Sequence, residues 1–96
     1  MENIIIRKGK TGNITTIKEK DRLCYLNERY EIIVTKINGV YWLSIYDIDI
    51  DNGLIDPIIK TYYYDKYGLM NALEKEIDSY MNEKIKIREK DIKLEI

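Results

Sequence analysis

Three aspartates stand at alternate positions near the middle of the sequence: Asp47, Asp49 and Asp51. Side chains at alternate positions of a β-strand share one face, so these carboxylates would form a row with neighbours about 6–7 Å apart. Asp56 follows across a loop. The phosphates along one nucleic-acid strand carry charges at a comparable spacing. The pattern is typical either of a solvated strand end or of an acidic contact surface for a basic partner.

A run of tyrosines follows the aspartates. Tyr62, Tyr63 and Tyr64 are consecutive, and Tyr67 is close by. Neighbours in a strand point to opposite faces, so some of these rings must lie away from the main core. They are ordinary structural tyrosines, part of a protein interface, or a platform on which nucleic-acid bases stack. Base-stacking platforms usually accompany a positively charged groove. The predicted partner-binding residues are Asp47, Asp49, Asp51, Asp56, Tyr62, Tyr63, Tyr64 and Tyr67.

The residue types needed for catalysis and metal binding are sparse. Histidine is absent, and Cys24 is the one cysteine, which favours a small buried hydrophobe over a nucleophile. A calcium loop that began at Asp47 would need glycine and glutamate where Asn52 and Ile58 stand. We therefore expect no enzyme activity, no metal and no cofactor.

Length and composition predict one folded domain over residues 1–96. The chain is 45% hydrophobic with a net charge of −1, whereas disordered chains combine low hydrophobicity with high net charge. The apolar run near the N-terminus is too short for a signal peptide or a membrane span, so we expect a cytoplasmic protein, in the host cytoplasm if the gene is viral. The charge is uneven, because residues 31–82 carry four lysines against nine acidic residues.

The clearest structural pattern is a hairpin at Asn38-Gly39, the pair that suits a type I′ turn best. It joins two β-rich runs, Tyr30 to Ile37 and Val40 to Ile50. The register then pairs Val34 with Leu43, and the apolar set that contains this pair is expected to face the core. Trp42 belongs to the other set and is interpreted as a core or half-buried residue, with a binding anchor as the alternative.

The remaining elements complete a small α+β fold. Residues 3–7 and 14–18 are predicted to form a hairpin, 58–64 a further strand, and 66–83 an amphipathic helix capped by Asp65. Residues 19–27 remain ambiguous, and the tail is expected to form one or two late strands. The prediction is an antiparallel sheet of four to six strands with the helix on one face. The expected core residues are Ile5, Ile32, Val34, Leu43, Ile45, Met70, Leu73, Ile77 and Met81.

Two resemblances bear on function. The segment Tyr30–Glu83, with the junction YYYDKYGLMNALEKEI, resembles the ββα unit of phage-integrase arm-binding domains, whose members carry basic residues on the sheet. The short length, the AT-rich codon bias implied by abundant Ile, Lys, Asn and Tyr, and the acidic, Tyr-rich hairpin region resemble small phage-encoded inhibitors of the anti-CRISPR kind. That second resemblance implies a DNA mimic that occupies a basic channel in its target.

We therefore expect a non-catalytic phage or mobile-element protein that inhibits a host nucleic-acid-handling protein. Its partner would be a basic host protein or a nucleoprotein complex, rather than nucleic acid itself or a membrane. One alternative is a small nucleic-acid-binding accessory protein that uses Arg7, Lys8 and Lys10. The other is a homo-oligomer, such as a homodimer, that pairs an exposed edge through Ile92, Leu94 and Ile96.

Overall fold

In the part of the chain that the structure describes, the strands form one antiparallel sheet, and the helix of residues 66–81 packs against it. A computed structural model describes the backbone of residues 5–8 and, with side chains, residues 14–48 and 56–94. The six strands pair with their sequence neighbours throughout, so the sheet order is the chain order. This architecture confirms the predicted α+β class. The strands are β1 (Ile5–Lys8), β2 (Thr15–Lys18), β3 (Arg22–Leu26), β4 (Tyr30–Ile37), β5 (Val40–Asp47) and β6 (Ile59–Tyr63).

The β4–β5 hairpin has the predicted turn and register. Asn38 and Gly39 both have positive φ, 51° and 78°, as a type I′ turn requires. Val34 pairs with Leu43, and both side chains are fully buried. The apolar set therefore faces the core, as the sequence predicts.

The helix α1 (Lys66–Met81) begins and ends at recognisable caps. The Asp65 carboxylate accepts a hydrogen bond from the Gly68 N–H at 3.2 Å, which satisfies one of the free donors of the first turn. Asn82 ends the helix in the left-handed region, with φ 59°. One helical stripe packs over β4, β5 and β6. Its buried residues are Leu69, Leu73, Ile77 and Met81.

The tail differs from the prediction, because residues 82–94 contain no strand. A short 3₁₀ helix (Glu89–Asp91) interrupts them. The Ile87 N–H donates to the Glu74 carboxylate of α1 at 2.7 Å, and the ammonium of Lys18 on β2 donates to the Lys90 carbonyl. The tail thus runs back beside the helix, and its alternating apolar residues bury one side without joining the sheet.

The core explains this path. The helix covers the half of the sheet around β4–β6, and the tail contributes to the same buried cluster as residues from the β2–β3 half. Ile87, Ile92 and Leu94 are buried with Ile14 and Leu23. The predicted exposed edge at Ile92 and Leu94 is therefore wrong, while Ile96 lies outside the described residues.

Most other predicted core positions are buried, apart from the half-buried Met70. The side chain of Ile5 lies outside the described part. The ambiguous segment 19–27 contains β3. No helix in the described part of the chain combines the length and the apolar character that a membrane crossing requires.

Candidate binding surface

Among the described residues, the sheet has one covered face and one open face. Helix α1 and the described tail pack on the face that carries Val34 and Leu43. Alternate residues of the same strands point to the opposite side, which we call the open face. Its central and β6-side positions are Ile33, Thr35, Trp42, Ser44, Lys60 and Tyr62.

Three aromatic residues form a cluster on the open face, which we call the aromatic cluster: Trp42, Tyr62 and Tyr64. The β5–β6 register places Trp42 directly opposite Tyr62, and their ring centroids lie 5.4 Å apart. Tyr64 comes two residues later, on the same side, with its ring 5.5 Å from that of Tyr62 in an edge-on arrangement. Cross-strand aromatic pairs of this kind stabilise one another, so contacts within the cluster favour this arrangement although Tyr62 and Tyr64 are largely exposed.

The exposure of these rings is large. Tyr62 is 51% exposed and Tyr64 is 74% exposed, while Trp42 is half-buried. The Lys60 ammonium lies 5.5 Å from the centroid of the Trp42 ring, a cation–π distance. The cluster therefore presents apolar area together with one positive charge and two hydroxyl groups.

A shallow depression of about 440 Å³ adjoins the cluster. Ile33, Trp42 and Tyr46 supply apolar lining, and Thr35 and Ser44 supply hydroxyl groups. The volume falls within the usual range for ligand pockets, but the depression lies open along the sheet.

The aspartates are not arranged as the sequence predicts. Asp47 is 3% exposed, and its Oδ2 lies 3.3 Å from a guanidinium nitrogen of Arg29. It pairs with Tyr30 and is two residues after the buried Ile45, so alternation places it on the covered face. An exposed row that includes Asp47 is therefore wrong. Asp49 and Asp51 lie outside the described residues, and Asp56 is exposed.

The four tyrosines separate into three environments. Tyr62 and Tyr64 are on the open face, whereas Tyr63 packs against the core on the covered face. Tyr67 lies in the first turn of α1, where its hydroxyl donates to the Glu89 carboxylate at 2.8 Å. That bond, with the Lys66 ammonium 3.2 Å away from the same carboxylate, lowers the pKa of Glu89. Tyr67 thus ties the tail to the helix.

Cys24 has a structural environment. Its thiol donates to the Glu31 carboxylate at 3.3 Å, and the residue is 4% exposed. Burial first, and the nearby Glu31 charge second, raise the pKa of the thiol to about 12. The thiol is therefore protonated at neutral pH and is a poor nucleophile. Within the described ranges, no three His, Cys, Asp or Glu side chains lie close enough to hold a metal ion.

Trp42 is half-buried, as the sequence predicts, but the predicted partner-binding residues included neither Trp42 nor Lys60. The register inferred for the Asn38-Gly39 hairpin already placed Trp42 away from the core set, and this is the signal that identifies it. Comparison with known proteins finds no matching family model, no matching curated protein and no matching solved structure.

Proposed function

We propose that this chain is a non-catalytic binding protein that docks on a basic, nucleic-acid-handling host protein and inhibits it. The observation that carries the proposal is the exposed aromatic cluster on a sheet face over which neither the helix nor the described tail packs. The docking surface consists of the cluster and the depression beside it. Trp42, Tyr62 and Tyr64 would supply the desolvated contact area, because Trp and Tyr dominate the energetics of protein interfaces.

The chemistry of the open face favours a protein partner. Partly exposed Ile33 and Tyr46 adjoin the aromatic rings, and the hydroxyl groups of Thr35 and Ser44 lie among them. Apolar and aromatic area with a few polar groups is the usual composition of an interface core. The solvated face of an antiparallel sheet is commonly polar instead.

The charge balance supports a basic partner. Residues 31–82, which include the whole aromatic cluster, carry five more acidic than basic residues. Asp56 and Asp65 are exposed just before and just after the β6 region. Complementary charges at the rim of an interface accelerate association and select partners. Proteins that bind nucleic acid present the matching positive surface, and this is the class implied by the phage-inhibitor resemblance.

The test uses a panel of purified bacterial nucleic-acid-handling proteins, with CRISPR effector complexes among them, passed over the immobilised chain. We expect at least one to bind, with an affinity that falls as salt rises, and to lose its own nucleic-acid binding in the complex. Tyr62→Ala combined with Tyr64→Ala should weaken that binding by about 30-fold or more, the equivalent of about 2 kcal/mol. Tyr67→Ala is the matched control, because Tyr67 is 52% exposed but lies outside the cluster.

Two results would contradict the proposal. One is an unchanged affinity in the double alanine variant. The other is direct binding of a single-stranded oligonucleotide in a gel shift, lost in the same variant, because Lys60 over Trp42 also suits base stacking. That second result would assign the open face to nucleic acid.

A further inference from the structure

Strand β6 is the last strand of the sheet. It pairs with β5 on one side, and no strand of the described residues pairs with its other side. An edge strand presents unpaired N–H and C=O groups that act as a template for another strand. Charged residues commonly protect such edges, but within β6 the one charged residue is Lys60.

Exposed apolar residues concentrate at the same edge. Five large apolar residues are exposed in the described ranges, and three of them lie between positions 58 and 64. Ile58 immediately precedes β6, Tyr62 lies within it and Tyr64 directly follows it. The edge therefore offers both backbone groups and apolar side chains to a partner strand.

We propose that β6 pairs antiparallel with β6 of a second copy of this chain, about a twofold axis at Thr61. Two copies of the six-stranded sheet would then form one continuous sheet, with both helices on the same face. The occupant is a second copy because the strand is complementary to itself in one register. This inference does not depend on the proposed function, since the dimer involves two copies of this chain and no host protein.

The register follows from three conditions. First, residues that face each other must belong to the same face of the sheet, which requires their two numbers to have an even sum. Second, Lys60 must not lie opposite the partner's Lys60, because directly opposed like charges destabilise a strand pair. Third, all five residues of β6 should be paired.

Pairs whose numbers sum to 122 meet all three conditions. Thr61 then lies opposite the partner's Thr61, Ile59 opposite the partner's Tyr63, and Lys60 opposite the partner's Tyr62. The neighbouring register with sum 120 opposes two lysines, and the register with sum 124 leaves Ile59 outside the paired strand. The Lys60–Tyr62 pair occurs twice and places an ammonium beside an exposed aromatic ring, a favourable combination.

The first experiment measures the mass of the whole protein by sedimentation equilibrium from 5 to 500 µM. We expect a dimer of twice the 11.5 kDa chain mass. Tyr62→Lys places a lysine opposite the partner's Lys60, and by symmetry this happens twice in the dimer. The repulsion should raise the dimer dissociation constant at least tenfold. Combining it with Lys60→Glu restores opposite charges and should return the constant to within about threefold of the wild-type value. Tyr67→Lys, an equal charge change outside β6, should leave it unchanged.

The second experiment tests the register by cysteine cross-linking under oxidation. Facing residues in an antiparallel pair have Cα atoms about 4.5–5.5 Å apart, within the range of a disulfide. Thr61→Cys should therefore form a covalent dimer, whereas Lys60→Cys should not. Cys24 is buried, so the wild-type chain serves as the blank. A wild-type chain that stays monomeric at 500 µM, or faster cross-linking of Lys60→Cys than of Thr61→Cys, would overturn the proposal.

Discussion

Truncation of Ile92 measures how much the tail contributes to the fold. Ile92 follows the 3₁₀ helix, is 1% exposed and belongs to the same buried cluster as Ile14 and Leu23. Buried Ile→Ala substitutions cost about 2–5 kcal/mol, because transfer energy is lost and a cavity remains. A chain of this length has a free energy of unfolding of about 5–14 kcal/mol. Ile92→Ala should therefore remove a large share of the stability.

Urea unfolding followed by far-UV circular dichroism provides the assay. With a slope of about 1–2 kcal/mol per molar urea, a loss of about 3 kcal/mol lowers the midpoint by about 1.5–3 M. Ile37→Ala is the control, since Ile37 is also an isoleucine but is 54% exposed at the end of β4, and it should cost no more than about 1 kcal/mol. Equal midpoints for the two variants would refute the conclusion that the tail is part of the core.

Three further predictions concern single sites. Asp47→Asn should lower the free energy of unfolding by about 1–3 kcal/mol, because it removes the buried charge that pairs with Arg29. A higher melting temperature for this variant would mean that repulsion between Asp47 and other carboxylates outweighs its attraction to Arg29. The Cys24 thiol should react with Ellman's reagent at pH 8 at least about 100-fold more slowly in the native protein than in urea, because its thiolate fraction is suppressed. Because folding raises the pKa of this thiol, its contribution to the free energy of unfolding is complete below about pH 9 and is lost as the pH approaches 12. Between these pH values, the free energy of unfolding of Cys24→Ala should therefore fall less than that of the wild type. Gly39→Ala should cost about 1–2 kcal/mol in chemical denaturation, because φ at this position is 78° and alanine is strained there, whereas a loss below about 0.3 kcal/mol would argue against the type I′ turn.

The elements that the sequence predicted correctly are those specified by local chemistry. Asn38-Gly39 sets both the turn and the register of β4 with β5, because a two-residue loop leaves no freedom in the pairing. Asp65 and the apolar stripe that includes Leu73 specify where α1 begins and which face it buries. The turn, the register, the start of the helix and its buried face each depend on residues that lie close together in the sequence.

The tail and Asp47 required tertiary information. Alternating apolar residues in 85–96 satisfy a strand and a one-sided extended segment equally well, and the choice depends on the uncovered sheet area beside α1. The row of like charges that begins at Asp47 predicts that its carboxylate is exposed to solvent. Its partner Arg29 is 18 residues earlier in the sequence and comes close only when β4 and β5 pair. Local alternation with Ile45 indicates only which face Asp47 lies on, and it does not identify Arg29 as the partner that allows its burial.

The two proposed surfaces share Tyr62, and this overlap allows them to be separated experimentally. Tyr62 belongs to the aromatic cluster and also faces the partner's Lys60 in the dimer. The combination of Tyr62→Lys with Lys60→Glu restores the charge pairing of the dimer but does not restore the aromatic ring. If both proposals hold, this double variant should sediment as a dimer and still bind the host partner at least about 30-fold more weakly than the wild type, the loss expected of an interface hot spot. Recovery of partner binding together with the dimer would show that the host protein recognises the paired edge, and the aromatic cluster would then have no direct role in docking.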